Sequence, residues 1–274
     1  MKLLTSIFKW VVFSNIWISL GVGATTYVGM KKGIVPFDIQ YCLIAGLATL
    51  FAYNIQRIFK LEDRILIPSE RHIWIEKNRN IILVLSIFGG TAGLSFSIYT
   101  LTFNSVICSV PFLLLVLLYA YSIGKLKALR ELPFAKITII SAVWTWTIAV
   151  LPVVNKGIRL DIINWWYIFF IFLFVFALCI PFDIRDIEND KRKIKTLPIV
   201  IGKKNAIFVS LAILTICLYI AFYFNWLELE ALVVISSLLV ILSNKKRSEL
   251  FYTGLLDGMF LLLYVIYRLY AVIL

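Results

Sequence analysis

Histidine is nearly absent from this 274-residue chain: His72 is the only one, and it stands in a charged stretch. A catalytic or metal-binding scheme built on imidazole therefore has almost no material. Cysteine is sparse as well. Cys42, Cys108, Cys179 and Cys217 each lie inside an apolar run, and none forms a CxxC pair. That excludes a disulfide framework and a thiolate metal site, and leaves small packing or lipid-facing residues. Acids are few, 15 against 27 Lys and Arg, for a formal charge of +12. There is no low-complexity segment, no clear internal repeat and no stretch that reads as a soluble domain. The apolar run beginning at Leu4 lacks a small-residue cleavage site at signal-peptide distance, so it is expected to remain as the first spanning helix.

What is abundant is apolar. Hydrophobic residues make up 62% of the chain and aromatic residues 15%, with a mean hydropathy of +0.95. A soluble domain of this length needs a polar exterior that such a composition cannot supply. An all-α, integral membrane protein is expected. In a soluble protein the surplus of bases would suggest nucleic acid. Here the bases fall between apolar runs, so membrane lipids and topology account for them, and no nucleic acid partner is expected.

A helical span needs about 20 mostly apolar residues. Nine runs qualify: Leu4–Val28, Ile39–Phe59, Asn80–Tyr99, Thr102–Tyr121, Pro133–Val153, Ile162–Phe182, Ala206–Phe224, Trp226–Ser243 and Phe251–Leu274. They predict a single membrane domain over residues 1–274, nine helices around a central cavity. The loops after the second, fourth, sixth and eighth runs carry twenty basic residues, and the alternate loops four. By the positive-inside rule the rich side is cytosolic. Lys2 and Lys9 put the N-terminus there, nine spans put the C-terminus opposite, and a cell inner membrane is the expected location. Nine of the 15 carboxylates fall in the cytosolic loops after the second, fourth and sixth runs, so the chemistry is expected there.

The most informative stretch is Pro181 to Gly202. Asp183, Asp186, Glu188 and Asp190 share thirteen residues with Arg185, Lys191, Arg192, Lys193 and Lys195. If helix continues through Asp190, then Asp183, Asp186 and Asp190 lie within roughly 60° of one another on one face. Carboxylates gathered that way repel unless something cationic sits between them. Hard oxygen donors with room for phosphate suit Mg²⁺. The bland alternative is a solvated, salt-bridged loop between two spans. At the end of the second run, Tyr53 to Arg64, the residues Asn54, Ile58 and Glu62 follow one another at i, i+4 and i+8, flanked by Arg57. After the fourth run come Tyr121, Lys125 and Leu132-Pro133, with Pro133 expected to open the fifth helix.

Asp183 to Gly202, including the trailing Lys-Thr-Leu-Pro and Gly, resembles the second Asp-rich motif of the UbiA superfamily of intramembrane prenyltransferases. Tyr121-x-x-x-Lys125 followed by Leu132-Pro133 resembles that family's segment after its fourth helix. The resemblance implies two Asp-rich motifs facing a central cavity, with Mg²⁺ holding an isoprenyl diphosphate. It makes Asp183, Asp186 and Asp190 the metal ligands and catalytic acids. Lys125 and Lys195 would add positive charge at the leaving group, and Trp144 and Trp146 would face the allylic cation. The family's first motif, Asn-Asp-x-x-Asp-x-x-x-Asp, is degenerate here. Asn54 is in place, Ile55 and Ile58 stand at two acidic positions, and Glu62 takes the last. Arg57 sits beside the vacated positions and, being a bidentate diphosphate binder, is expected to replace part of the missing metal site.

Each of these residues also has a plainer role. Asn54 can hydrogen-bond a neighbouring helix, Glu62 can pair with Lys60 or Arg64, and Arg57 can snorkel at the membrane edge. Trp144 and Trp146 can serve packing, and Glu228 and Glu230 read as loop charges. The function expected is Mg²⁺-dependent transfer of an isoprenyl group from its diphosphate to a lipophilic, aromatic acceptor. The alternatives are a terpene cyclase or a phosphosugar–polyprenyl transferase on the same scaffold, or a non-catalytic lipid-binding carrier.

Overall fold

In a bilayer the backbone must satisfy its own polar groups, and continuous apolar runs do so as helices. The computed structural model describes residues 2–32, 37–61, 68–120, 129, 132, 134–190 and 194–273, and no strand occurs among them. The helices are α1 (Lys2–Phe13), α2 (Ile16–Lys31), α3 (Ile39–Lys60), α4 (Glu70–Lys77), α5 (Arg79–Thr100), α6 (Phe103–Ala120), α7 (Ala135–Thr145), α8 (Leu151–Lys156), α9 (Ile162–Arg185), α10 (Ile187–Asp190), α11 (Leu197–Ile201), α12 (Lys203–Tyr223), α13 (Leu227–Leu242) and α14 (Met259–Ile273). Two π-helical turns, Trp146–Val150 and Phe251–Leu256, run into α8 and lead towards α14. Several helix starts are written in the sequence. Asp38 accepts from the backbone of Gln40 and Tyr41, Ser69 accepts from His72, and Asp161 and Asn164 form a capping box.

The described residues of the expected runs are largely helical, but the runs are not equal. Among the described residues six segments are long and apolar enough to cross a membrane: Ile39–Phe59, Arg79–Thr100, Ala135–Lys156, Ile162–Arg185, Lys203–Tyr223 and Phe251–Val272. The first run is not one straight helix. It breaks between α1 and α2 with a bend of 68°, where Asn15 takes a left-handed backbone conformation (φ 65°). The described apolar part of α6 and the 16-residue α13 are shorter. Glu228, expected as a loop charge, lies in the first turn of α13 and is buried, where a carboxylate complements the helix dipole. His72, also expected in a loop, sits in α4.

The chain divides into two compact units, Met1–Leu101 with Arg247–Leu274, and Thr102–Lys246. In the first, α3 packs against α2 and α5, and α2 against α14. The α2–α3 contact is one of backbones. A Cβ on Gly23 would stand 2.9 Å from the Cys42 carbonyl oxygen, and one on Gly46 3.0 Å from that of Ser19. Small residues allow this approach between membrane helices. In the second unit α9 is central, packing on α7, α11, α12 and α13. Its buried face runs through Phe170, Phe174, Ala177, Ile180 and Ile184, and Ser210 of α12 donates to its Ala177 carbonyl at 2.8 Å. Ile137, Ile180, Ile184 and Ala206 join α7, α9 and α12 in one apolar cluster.

Gly23→Ala is expected to lower unfolding stability in detergent by about 1–3 kcal/mol, since the added methyl meets backbone. Gly93→Ala, whose added Cβ would meet only ordinary contacts from 3.4 Å outward, is expected to be neutral or to gain up to about 1 kcal/mol of helix propensity. Thermal unfolding of the two variants checks the contrast.

Candidate functional site: three aspartates around a lysine

The cytosol-proximal end expected for α9 carries the acidic stretch. The helix does not continue unbroken through Asp190. It ends at Arg185, Asp186 caps it (φ −89°, ψ 4°), and α10 resumes for a single turn. The Asp190 N–H donates to the Asp186 carbonyl at 2.9 Å, so the acids remain on neighbouring turns. Despite the break they converge. Lys136 Nζ lies 2.8 Å from Asp183 Oδ1, 3.0 Å from Asp190 Oδ2 and 4.0 Å from Asp186 Oδ2. Asp186 is held mainly by Arg185, whose Nε and Nη2 donate to its two oxygens at 2.7 and 3.0 Å. Among the described residues no three His, Cys, Asp or Glu side chains stand ready as a metal site. The cation these carboxylates share is an ammonium.

Local structure explains how Lys136 gets there. Phe134 precedes α7 in a left-handed conformation (φ 59°), which a bulky residue rarely adopts, and its N–H donates to the Lys195 carbonyl at 3.3 Å. The segment after the acidic stretch is thereby tied to the start of α7, and Lys136 falls in the first helical turn. Its neighbour Ile137 and the Asp183 neighbours Ile180 and Ile184 belong to one apolar cluster, so the charges sit at the rim of a dry contact. Side-chain exposure rises from Asp183 (2%) through Asp190 (15%) to Asp186 (29%). The cluster is thus closed at Asp183 and open at Asp186. Sequence reading counted Lys136 only as a loop base. The available signal was a lysine opening an apolar helix whose chain neighbour, the sixth run, ends in acids, since antiparallel neighbours bring those ends to one level.

Asn54 and Arg57 belong to the other unit. Asn54 is fully buried and its Oδ1 accepts from Asn15 Nδ2 at 2.7 Å. Asn15 Oδ1 in turn accepts from the buried Arg71. The chain Arg71–Asn15–Asn54 therefore links α4, the break between α1 and α2, and α3. Neither Arg71 nor Asn15 was singled out by sequence. Arg71 and Ile75, four apart, share the buried face of α4, and that spacing was the legible sign. Ile58, at the position of the motif's central Asp, is buried against Ile75 and Ile82, with Leu61 and Trp74 alongside. Arg57 is half-buried. Lys195 has an exposed side chain, and no ion pair joins it to the three aspartates among the described residues. Glu62 and Lys125 lie outside the described residues.

The two tryptophans part company. Trp144 is buried. Trp146 opens the π-helical turn and lines an apolar cavity of about 340 Å³ with Phe112, Trp165, Phe169 and Phe172. Its ring stacks on Phe112 at 4.2 Å and 12°, and its Nε1 donates to Ser109 Oγ at 3.3 Å.

Ile58→Asp, which restores an acid at the motif position, is expected to cost at least about 3 kcal/mol, because the charge has only Ile75 and Ile82 to face. Asn54→Leu is expected to cost about 1–3 kcal/mol by leaving the Asn15 amide without its acceptor. Equilibrium unfolding in detergent measures both.

Residues 78–269 match the family model of the UbiA prenyltransferases. The match begins beyond the degenerate stretch Asn54–Glu62 and includes the whole aspartate cluster. No curated protein matches the chain. Among solved structures the fold is shared with a UbiA homolog from Archaeoglobus fulgidus. Bound to GPP and Mg²⁺, that protein gives a TM-score of 0.66 at 13% identity, over 94% of this chain and 97% of its own. Bound to DMAPP and Mg²⁺ it gives 0.61 at 12%, over 95% and 99%, and bound to Cd²⁺ 0.59 at 13%, over 95% and 99%. Identity that low carries the fold alone, whereas a family match over more than half the chain carries membership. On that ground this helical membrane protein belongs to the UbiA prenyltransferase family.

Proposed function

We propose that the protein transfers an isoprenyl group from a prenyl diphosphate to a lipophilic, aromatic acceptor, as one membrane-embedded catalytic domain dependent on Mg²⁺. The observation that carries this reading is the gathering of Asp183, Asp186 and Asp190 around a single cation. Relatives of this fold hold Mg²⁺ together with DMAPP or GPP, and the donor set here is the hard carboxylate oxygen that Mg²⁺ takes. Asp183, Asp186 and Asp190 would hold the ion, which when bound supplies neutralising charge for the diphosphate as it leaves.

The chain's other residues have assigned tasks in this reading. Arg57 grips diphosphate oxygens bidentately, standing in for carboxylates that Ile55 and Ile58 do not supply. Lys125 and Lys195 add positive charge for the departing diphosphate. Trp146, on its aromatic cavity, and the buried Trp144 exclude water and offer π faces to an allylic cation. The excess of bases on alternate loops supports a cytosolic N-terminus, a C-terminus across the membrane, and residence in the cell inner membrane.

One observation favours a second reading, a cyclase or phosphosugar transferase on this scaffold or a lipid-binding carrier: Ile58 is packed in an apolar cluster where the family's first motif has an acid. Diphosphate release from a labelled prenyl donor decides. Mg²⁺-dependent release is expected, lowered about 100-fold or more by Asp183→Asn, as loss of several kcal/mol of metal-borne stabilisation requires. No release with any donor favours the carrier, and product analysis separates transfer from cyclisation. Arg57→Ala is expected to weaken diphosphate binding; unchanged affinity removes Arg57 from the site.

A further inference from the structure

Two bases, Lys136 and Arg185, pair with the three carboxylates. The two bases do different work. Arg185 precedes Asp186 in sequence and donates to both of its carboxylate oxygens. Lys136 reaches in from α7 and touches acids on both sides of the α9–α10 break, Asp183 at 2.8 Å and Asp190 at 3.0 Å. The Asp190 contact is a charge-assisted hydrogen bond and the Asp183 contact an ion pair, and the ammonium stands at the point the acids surround. A Mg²⁺ ion bound through the same oxygens would need them at about 2.0–2.1 Å. An ion so placed and an ammonium so placed would be nearly in contact, two cations with no anion between them. The two occupants exclude each other.

We infer that Lys136 is a tethered counter-ion that competes with the divalent cation for the Asp183–Asp186–Asp190 cluster, so that metal binds only as Lys136 withdraws. This rests on the reading of the cluster as the metal seat. The lysine solves a folding problem, because Asp183 is almost fully buried and would face two other carboxylates without it. A lysine can also withdraw, having a flexible four-carbon stem and a point charge. The opening lies at Asp186, the most exposed of the three acids. The aspartates therefore hold a cation at all times, and which one depends on the free metal concentration.

The test is direct binding of Mn²⁺ to the purified full-length protein in detergent, followed by electron paramagnetic resonance of the free ion. Lys136→Met and Lys136→Gln are expected to bind Mn²⁺ at least tenfold more tightly than wild type. Lys136→Arg keeps the charge and is expected to stay within about threefold of wild type. Asp183→Asn is expected to abolish binding. Wild-type affinity in both neutral variants, with binding still lost in Asp183→Asn, overturns the competition while leaving the metal seat standing. No Mn²⁺ on any variant removes the seat and the inference with it. Thermal unfolding guards against variants that do not fold. Both neutral variants are expected to be destabilised in chelator and restored by excess Mg²⁺. Failure to fold even with Mg²⁺ assigns Lys136 a purely structural task and overturns the proposal.

Discussion

A carboxylate at the apolar end of a long membrane helix must have a cation beside it, and the Thr102–Lys246 unit is arranged around that requirement. Asp183 has about 1% of its surface exposed, and the other two acids of the cluster follow within about two turns. Leaving any of them unpaired would cost several kcal/mol. Lys136 meets the need only if α7 starts beside the end of α9. The Ile137–Ile180–Ile184–Ala206 cluster holds it there, as does the backbone bond from Phe134 to Lys195. Apolar contact fixes the helices, and the ion pairs fix which ends meet.

The other unit is closed by apolar packing. Ile58 lies in an apolar cluster with Ile75 and Ile82, so that face of α3 is sealed by α4 and α5. Asn54 has kept its amide, and its partner is Asn15 at the break between α1 and α2. Arg71 completes that chain from α4. These hydrogen bonds tie the bent first span to α3 and α4.

Much of the fold was legible in one dimension. The apolar runs are the helices, because a bilayer permits little else. Asp38, Ser69 and Asp161 cap helix starts, a role their residue types favour. The break at Asn15 was not legible, since neither proline nor glycine marks it. Nor was the π-helical turn at Trp146, which separates two tryptophans that read alike: Trp144 is packed and Trp146 lines a cavity. The helix expected to carry all three acids in fact stops at Asp186, and it is the single turn after it that returns Asp190 to the cluster.

Sequence alone determined that the chain lives in a membrane, which runs are helical and where the acids gather along the chain, because hydropathy, charge and short spacing are local properties. Only the tertiary structure decided what the acids touch. Lys136 and Asp190 stand 54 residues apart, and nothing in either neighbourhood names the other. Their meeting follows from the packing of α7 against α9, which brings an ammonium into a carboxylate cluster that the sequence by itself left open to any cation.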